Sequence, residues 1–169
     1  MTRVTPWADG DPVDADLLAA ITARRGGVLT ELDRVLLRSA PLAAGWNMLL
    51  GQIRGHFALS LEYRELIMCR IAMLNRAEFE WKAHYPLYLS AGGTQAKGDA
   101  LRLIEIADIF DEKDATLLAL ADQSTRAVAV DPAVIERLKT LFGEVQTVEA
   151  VATAAAYNMV SRFLVALDI

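Results

Sequence analysis

Apolar residues recur at three- and four-residue intervals through nearly every segment of this 169-residue chain, and no run alternates with a period of two for long. A repeat near 3.6 lines apolar side chains along one helix face, whereas a half-buried strand needs a repeat of two. Alanine and leucine, both strong helix formers, dominate the composition. The chain therefore reads as all-α: a compact multi-helix domain.

The punctuation divides it. Residues 1–12 hold two prolines and two aspartates and read as an irregular arm, free to wrap a neighbour, with residues 13–169 forming one helical domain. A first helix is expected over 13–25, ending at Gly26-Gly27, and Thr30 with Asp33 can cap the next, which runs to Ala40. Pro41 suits the first turn of a third helix, which carries Trp46 and ends near Arg54-Gly55. Ser60 caps a helix through about Leu74, Asn75-Arg76 makes a short break, and a helix from Ala77 to Ser90 stops at Gly92-Gly93. Asp111 and Asp131-Pro132 are start signals, and later helices are expected over 95–108, 112–128, 132–142 and 145–167.

Composition sets further bounds. The apolar fraction of 54% is high for a soluble chain of this length, yet no eighteen apolar residues follow one another. The richest run, Ala150 to Val160, is bounded by Glu149 and Arg162, so no membrane span is expected and the excess suggests subunit contacts. The first nine residues lack the apolar core of a signal peptide, and a single cysteine excludes an internal disulfide framework; both fit the cytoplasm. A net charge of −5, with no basic cluster beyond Arg24-Arg25, argues against a nucleic-acid partner. Phosphate-binding glycine loops, zinc-type Cys/His spacing and a Gly-x-Ser-x-Gly elbow are all missing.

The segment Ala77-Glu78-Phe79-Glu80-Trp81-Lys82-Ala83-His84 carries the chemistry. Residues four apart share a helix face, so Glu80 can hold the His84 imidazole in one orientation, which is the minimum apparatus for acid–base work near neutral pH. Two antiparallel helices joined at Asn75-Arg76 allow Glu65 to meet His84 without forcing it. Catalytic candidates are thus Glu65, Glu80 and His84. The weaker candidates for substrate binding are Trp81 as core or pocket wall, Tyr88 as a phenol donor, and Asn158, which either braces helix packing or faces a pocket. Arg64, Arg70 and Arg162 can neutralise buried carboxylates or grip an acidic substrate. Two carboxylates and one histidine could ligate iron or zinc, but no second histidine is placed to help, His56 falling in an exposed turn; neither metal nor cofactor is expected. The remaining reading is a buried polar network that fixes helix register.

Arg64-Glu65-Leu66 with Arg70, then Glu78-Phe79-Glu80-Trp81 and His84, then Ala91-Gly92, resemble the carboxymuconolactone decarboxylase family, its alkyl hydroperoxidase D branch included. Tyr157-Asn158-Met159-Val160-Ser161-Arg162-Phe163 is similar to a closing helix of one subgroup, and the likeness runs from about Glu31 to the C-terminus. The resemblance implies an alkyl hydroperoxidase D-like helical protomer, a trimer or hexamer, and a relay joining Glu65 to His84. The peroxidase branch would place its two redox cysteines on Ala77 and Glu80, so both sulfurs are absent; Cys69, on the preceding helix, has no partner and reads as a small hydrophobe. The decarboxylase branch resembles the chain around His84, with an acidic residue near Glu80, but does not reliably carry Arg64-Glu65-Leu66. The function expected is cofactor-independent acid–base chemistry, decarboxylation or isomerisation, on a small carboxylated or lactone metabolite. The alternatives are a peroxidase-like stress-response protein that kept the fold, or a non-catalytic binding or assembly protein.

Overall fold

A computed structural model describes residues 2–103, 105 and 107–169. Its helices are α1 (Ala15–Arg24), α2 (Glu31–Leu36), α3 (Ala40–Gly55), α4 (Leu61–Asn75), α5 (Glu78–Ser90), α6 (Gln95–Ala100), α7 (Glu112–Arg126) and α8 (Pro132–Leu167), with no strand among the described residues. The expected capping residues act as such. Thr30 and Asp33 form a reciprocal capping box, and the side chains of Ser60, Asp111 and Asp131 accept from the backbone N–H of Tyr63, Asp114 and Ala133.

α4 is the centre of the molecule. Every residue from Arg64 to Ala72 is buried, and the helix packs against α5, α7 and α8. A helix apolar on all sides belongs in a core, and Leu66, Ile67, Met68, Cys69 and Ile71 are fully enclosed. Its polar members are bonded: the Arg64 guanidinium donates to the carbonyl of Ile53, and Arg70 grips Asp122 of α7 with two bonds of 2.6 and 2.7 Å. The turn into α5 passes through Arg76, whose φ of 57° and ψ of 36° lie in the left-handed region. α5 then runs back along α4 and closes at Gly93, where any Cβ would sit 2.4 Å from the Tyr88 ring.

One expectation needed correction. The helix expected over 95–108 ends at Ala100, because the carbonyls of Leu101 and Leu103 turn to Arg70 at 2.8 and 2.6 Å. Residues 104 and 106 of that expected helix lie outside the described residues. The last two helices meet as expected at a break: Gly143, with φ 78° and ψ 171°, leaves the helical path and divides the span α8 into two helical stretches. The arm lies on its own chain: Arg3 bonds the carbonyls of Leu167 and Ala166, and the buried Trp7 sits beneath Arg34.

Candidate active site

α4 and α5 lie antiparallel, which brings Glu65 to His84. His84 Nδ1 and Glu65 Oε2 are 2.7 Å apart, and both side chains are buried. With Nδ1–H donating to the carboxylate, the neutral imidazole has its lone pair on Nε2. His84 lines a cleft of about 440 Å³ between α1, α2, α3, α5 and α8. Apolar walls come from Leu32, Phe79, Leu87, Val160 and Leu164, and the polar lining is Arg24, Arg25, Arg54, Glu80 and His84.

Glu80 shares the cleft but is not the partner of His84. Its Oε2 lies 2.7 Å from Ser161 Oγ on α8, and its Oε1 is buried with no hydrogen-bond partner. Burial pushes its carboxyl up to about 8, against the opposing pulls of the Ser161 bond and the Arg54 charge. The hydrogen-bond inventory accommodates that proton. Ser161 has one hydroxyl hydrogen, and its Oγ also lies 2.8 Å from the Tyr157 carbonyl, which can only accept. When that hydrogen goes to Tyr157, the bond to Glu80 needs the proton on the carboxyl. Glu65 thus orients the imidazole, and Glu80 holds a proton of its own.

Arg54 supplies the charge that these acids do not neutralise. Its Nε donates to the Tyr157 hydroxyl at 2.8 Å, and it has no carboxylate partner among the described residues. The Tyr157 ring is wholly buried and meets the His84 imidazole edge-on at 5.0 Å, so one side chain supports both groups. Burial, with Glu65 and Glu80 adding to it, keeps the phenol neutral against the opposing pull of Arg54. Arg24 and Arg25 are less free, since both pair with Asp33 at 3.4 and 2.8 Å.

The other sequence candidates lie outside this cleft. Trp81 stacks on Tyr85 with centroids 4.9 Å apart and lines a separate groove. Tyr88 is buried against Gly93 with its hydroxyl unpartnered. Asn158 is a brace: its Oδ1 accepts from Asn75, and its Nδ2 lies 3.0 Å from both Thr125 Oγ1 and the Ala154 carbonyl, so α4, α7 and α8 meet on one amide. Adjacent helical residues point about 100° apart, so with Tyr157 turned to His84, Asn158 faces α7. Arg54, Tyr157 and Ser161 were missed by sequence reasoning. Tyr157 and Ser161 stand four apart in an apolar run, a spacing that could have marked them; Arg54 left no such trace. The Cys69 thiol is enclosed and pushed up by burial, with Glu65 and Glu80 adding to the shift. Among the described residues no three His, Cys, Asp or Glu side chains form a metal-ligand group.

The model of the carboxymuconolactone decarboxylase family matches residues 40–123, from the start of α3 through most of α7, and so spans Arg54, Glu65, Glu80 and His84. The chain belongs to that family. Two solved structures share the fold of this family member. One is an uncharacterized peroxidase-related protein from Silicibacter sp. TM1040, with TM-score 0.80 and 18% identity, covering 100% of this chain and 94% of its own. Another is a protein of unknown function from Agrobacterium tumefaciens, related in its description to the antioxidant defence protein AhpD, with TM-score 0.70, 18% identity and coverage of 78% and 91%. No curated protein matches the chain in sequence.

Proposed function

We propose that this family member is a cofactor-independent acid–base enzyme acting on a small carboxylated or lactone-type metabolite. The observation that carries the reading is the 2.7 Å bond from His84 to Glu65, which leaves Nε2 as the imidazole nitrogen not bonded to protein, in a cleft that also holds the unpaired Arg54. In a decarboxylation, Arg54 binds the substrate's anionic group. The breaking C–C bond leaves its electron pair on the carbon that loses CO2, delocalised as an enolate. Protonated His84 then delivers a proton from Nε2 to that carbon, while Glu65 stabilises the imidazolium. Neutral Glu80 donates its one hydrogen bond to the developing enolate oxygen once Ser161 turns its own hydroxyl hydrogen from the Tyr157 carbonyl to Glu80 Oε2. The same groups serve an isomerisation when neutral His84 removes a proton and returns it to a different carbon.

A thiol peroxidase cycle would need two sulfurs where the chain has Ala77 and Glu80, and Cys69 is sealed in the core. That favours acid–base chemistry over the peroxidase reading suggested by the description of the Silicibacter neighbour. The deciding experiment incubates the protein with a panel of small lactones and dicarboxylates in D2O, following CO2 release and deuterium uptake at carbon. Turnover that falls at least about a hundredfold in His84→Gln is the expected result. No turnover or exchange with any member of the panel, and no ligand density in the cleft of soaked crystals, would remove the enzyme reading.

The active unit is proposed to be a homo-oligomer, trimer or hexamer, located in the cytoplasm. Apolar side chains on the outer side of α8, Val145 and Val148 among them, are more than 60% exposed in the single chain and support this reading.

A further inference from the structure

On the far side of α5 from the cleft, a second groove of about 350 Å³ runs between the end of α4, the start of α5 and residues 102–103. Arg76, Arg102 and Arg126 line it with Trp81, and Glu78 is its one acidic lining residue. The guanidinium carbon of Arg102 lies 4.1 Å from the centroid of the Trp81 ring. Stacking uses the flat face of a guanidinium and leaves its N–H edges available, and the Arg102 guanidinium has no hydrogen-bond or ion-pair partner among the described residues. The cation is held in place by the indole rather than neutralised.

Arg76 is the second observation. It is exposed at the lip of the groove and occupies the left-handed region, with φ 57°, at a helix C-cap where glycine is the usual choice. The chain keeps an arginine where the backbone favours a residue without a side chain. Arg126 lies 3.7 Å from Asp122, a carboxylate already shared with Arg70. The charged lining residues are Arg76, Arg102, Arg126 and Glu78, so three positive charges less one negative leave a surplus of two. Planar N–H forks in excess by two charges match a dianionic phosphate better than a carboxylate, which carries one. Met73, Leu74 and Leu103 give the groove an apolar stretch where the body of a ligand can lie.

We propose that this groove binds the phosphate group of a small molecule, with Arg102 and Arg76 as its principal donors and Trp81 holding Arg102 in place. The site is distinct from the His84 cleft and does not depend on its chemistry.

The test titrates inorganic phosphate and phenyl phosphate separately into the full chain, at constant ionic strength, following the Trp81 indole N–H signal by NMR with assignment by Trp81→Phe. A saturable shift is expected. Arg102→Gln should weaken it at least about tenfold, as loss of a charge-assisted bond does. Arg76→Gly should weaken it too while raising the Tm, so lost binding there cannot be blamed on unfolding. Tighter binding of phenyl phosphate identifies a phosphorylated metabolite, whereas equal binding identifies inorganic phosphate; either supports the site. Three results would overturn it: no saturable shift at tens of millimolar of either anion, the same shift with chloride, or a shift lost in Arg54→Gln and kept in Arg102→Gln, which places the anion in the other cleft.

Discussion

At the scale of single residues, Glu80 makes the sharpest statement. Its buried carboxyl titrates at about 8, well above the ordinary 4.5. Between those values the folded state keeps a proton that the unfolded chain has released, so stability falls as pH rises, by about 1.4 kcal/mol per unit from this one group. Glu80→Gln removes the titration and retains an amide that can donate to Ser161. Urea unfolding of both proteins at several pH values from 5 to 8 should show the variant gaining steadily on the parent and exceeding it near pH 8; parallel curves would mean that Glu80 is ionised in the fold. Arg70 calls for the opposite behaviour. It is 1% exposed and tied to Asp122, and removing one member of a buried pair strands the other, so Asp122→Ala should cost roughly 3–5 kcal/mol in the same assay at every pH where both are charged. The sequence placed Glu80 and His84 on one helix, which they share, but paired them with each other. The i,i+4 rule describes an isolated helix surface; here α4 and α8 press on α5 and bring better partners, Glu65 for His84 and Ser161 for Glu80.

At the scale of elements, legibility follows locality. Thr30, Ser60, Asp111 and Asp131 act through bonds two or three residues away, so the helix starts were readable. The end of α6 was not, because it depends on Arg70, thirty-one residues earlier, capturing the Leu101 carbonyl. Tyr157 and Asn158 show the same limit within α8: the sequence marks two polar neighbours in an apolar run, and only the packing says that Tyr157 serves the cleft while Asn158 ties helices together. Asn158→Ala should therefore destabilise the fold by roughly 2–3 kcal/mol, since it leaves Asn75 and Thr125 without their partner. It should leave ligand affinity at the His84 cleft unchanged, and an affinity loss without a stability loss would restore Asn158 to the site. The α4–α5 turn yields a gain instead. Arg76→Gly relieves a left-handed residue and should add about 1 kcal/mol, read as a higher urea midpoint with an unchanged slope.

At the scale of the whole molecule, α8 poses the remaining problem. Its inward side buries Ala150, Ala154, Tyr157, Ser161 and Leu164 against the core. The opposite side should then be polar, yet Val148, Ala155 and Met159 fall there and are exposed, with Val145 and Val151 beside them. α8 is also the one helix among the described residues that is long and apolar enough to cross a membrane, with half of its apolar window buried inside the protein. A helix apolar on both sides is covered on both sides, by protein or by lipid. The bend at Gly143 and the polar anchors of the inner face, Asn158 to Thr125 and Ser161 to Glu80, suit a helix fixed in a protein core, so the cover proposed is a second copy of the chain. Sedimentation should then give the mass of a trimer or hexamer rather than of one 18.5 kDa chain. Val148→Glu places a charge in the middle of the stripe. It should lower that mass to the monomer while helical circular dichroism is retained, because a 66% exposed side chain supports no intramolecular packing. A parent protein that sediments as a monomer and floats with liposomes would assign the outer face of α8 to lipid instead. A monomer that stays in solution would leave the stripe without a partner and remove the oligomer from the functional reading.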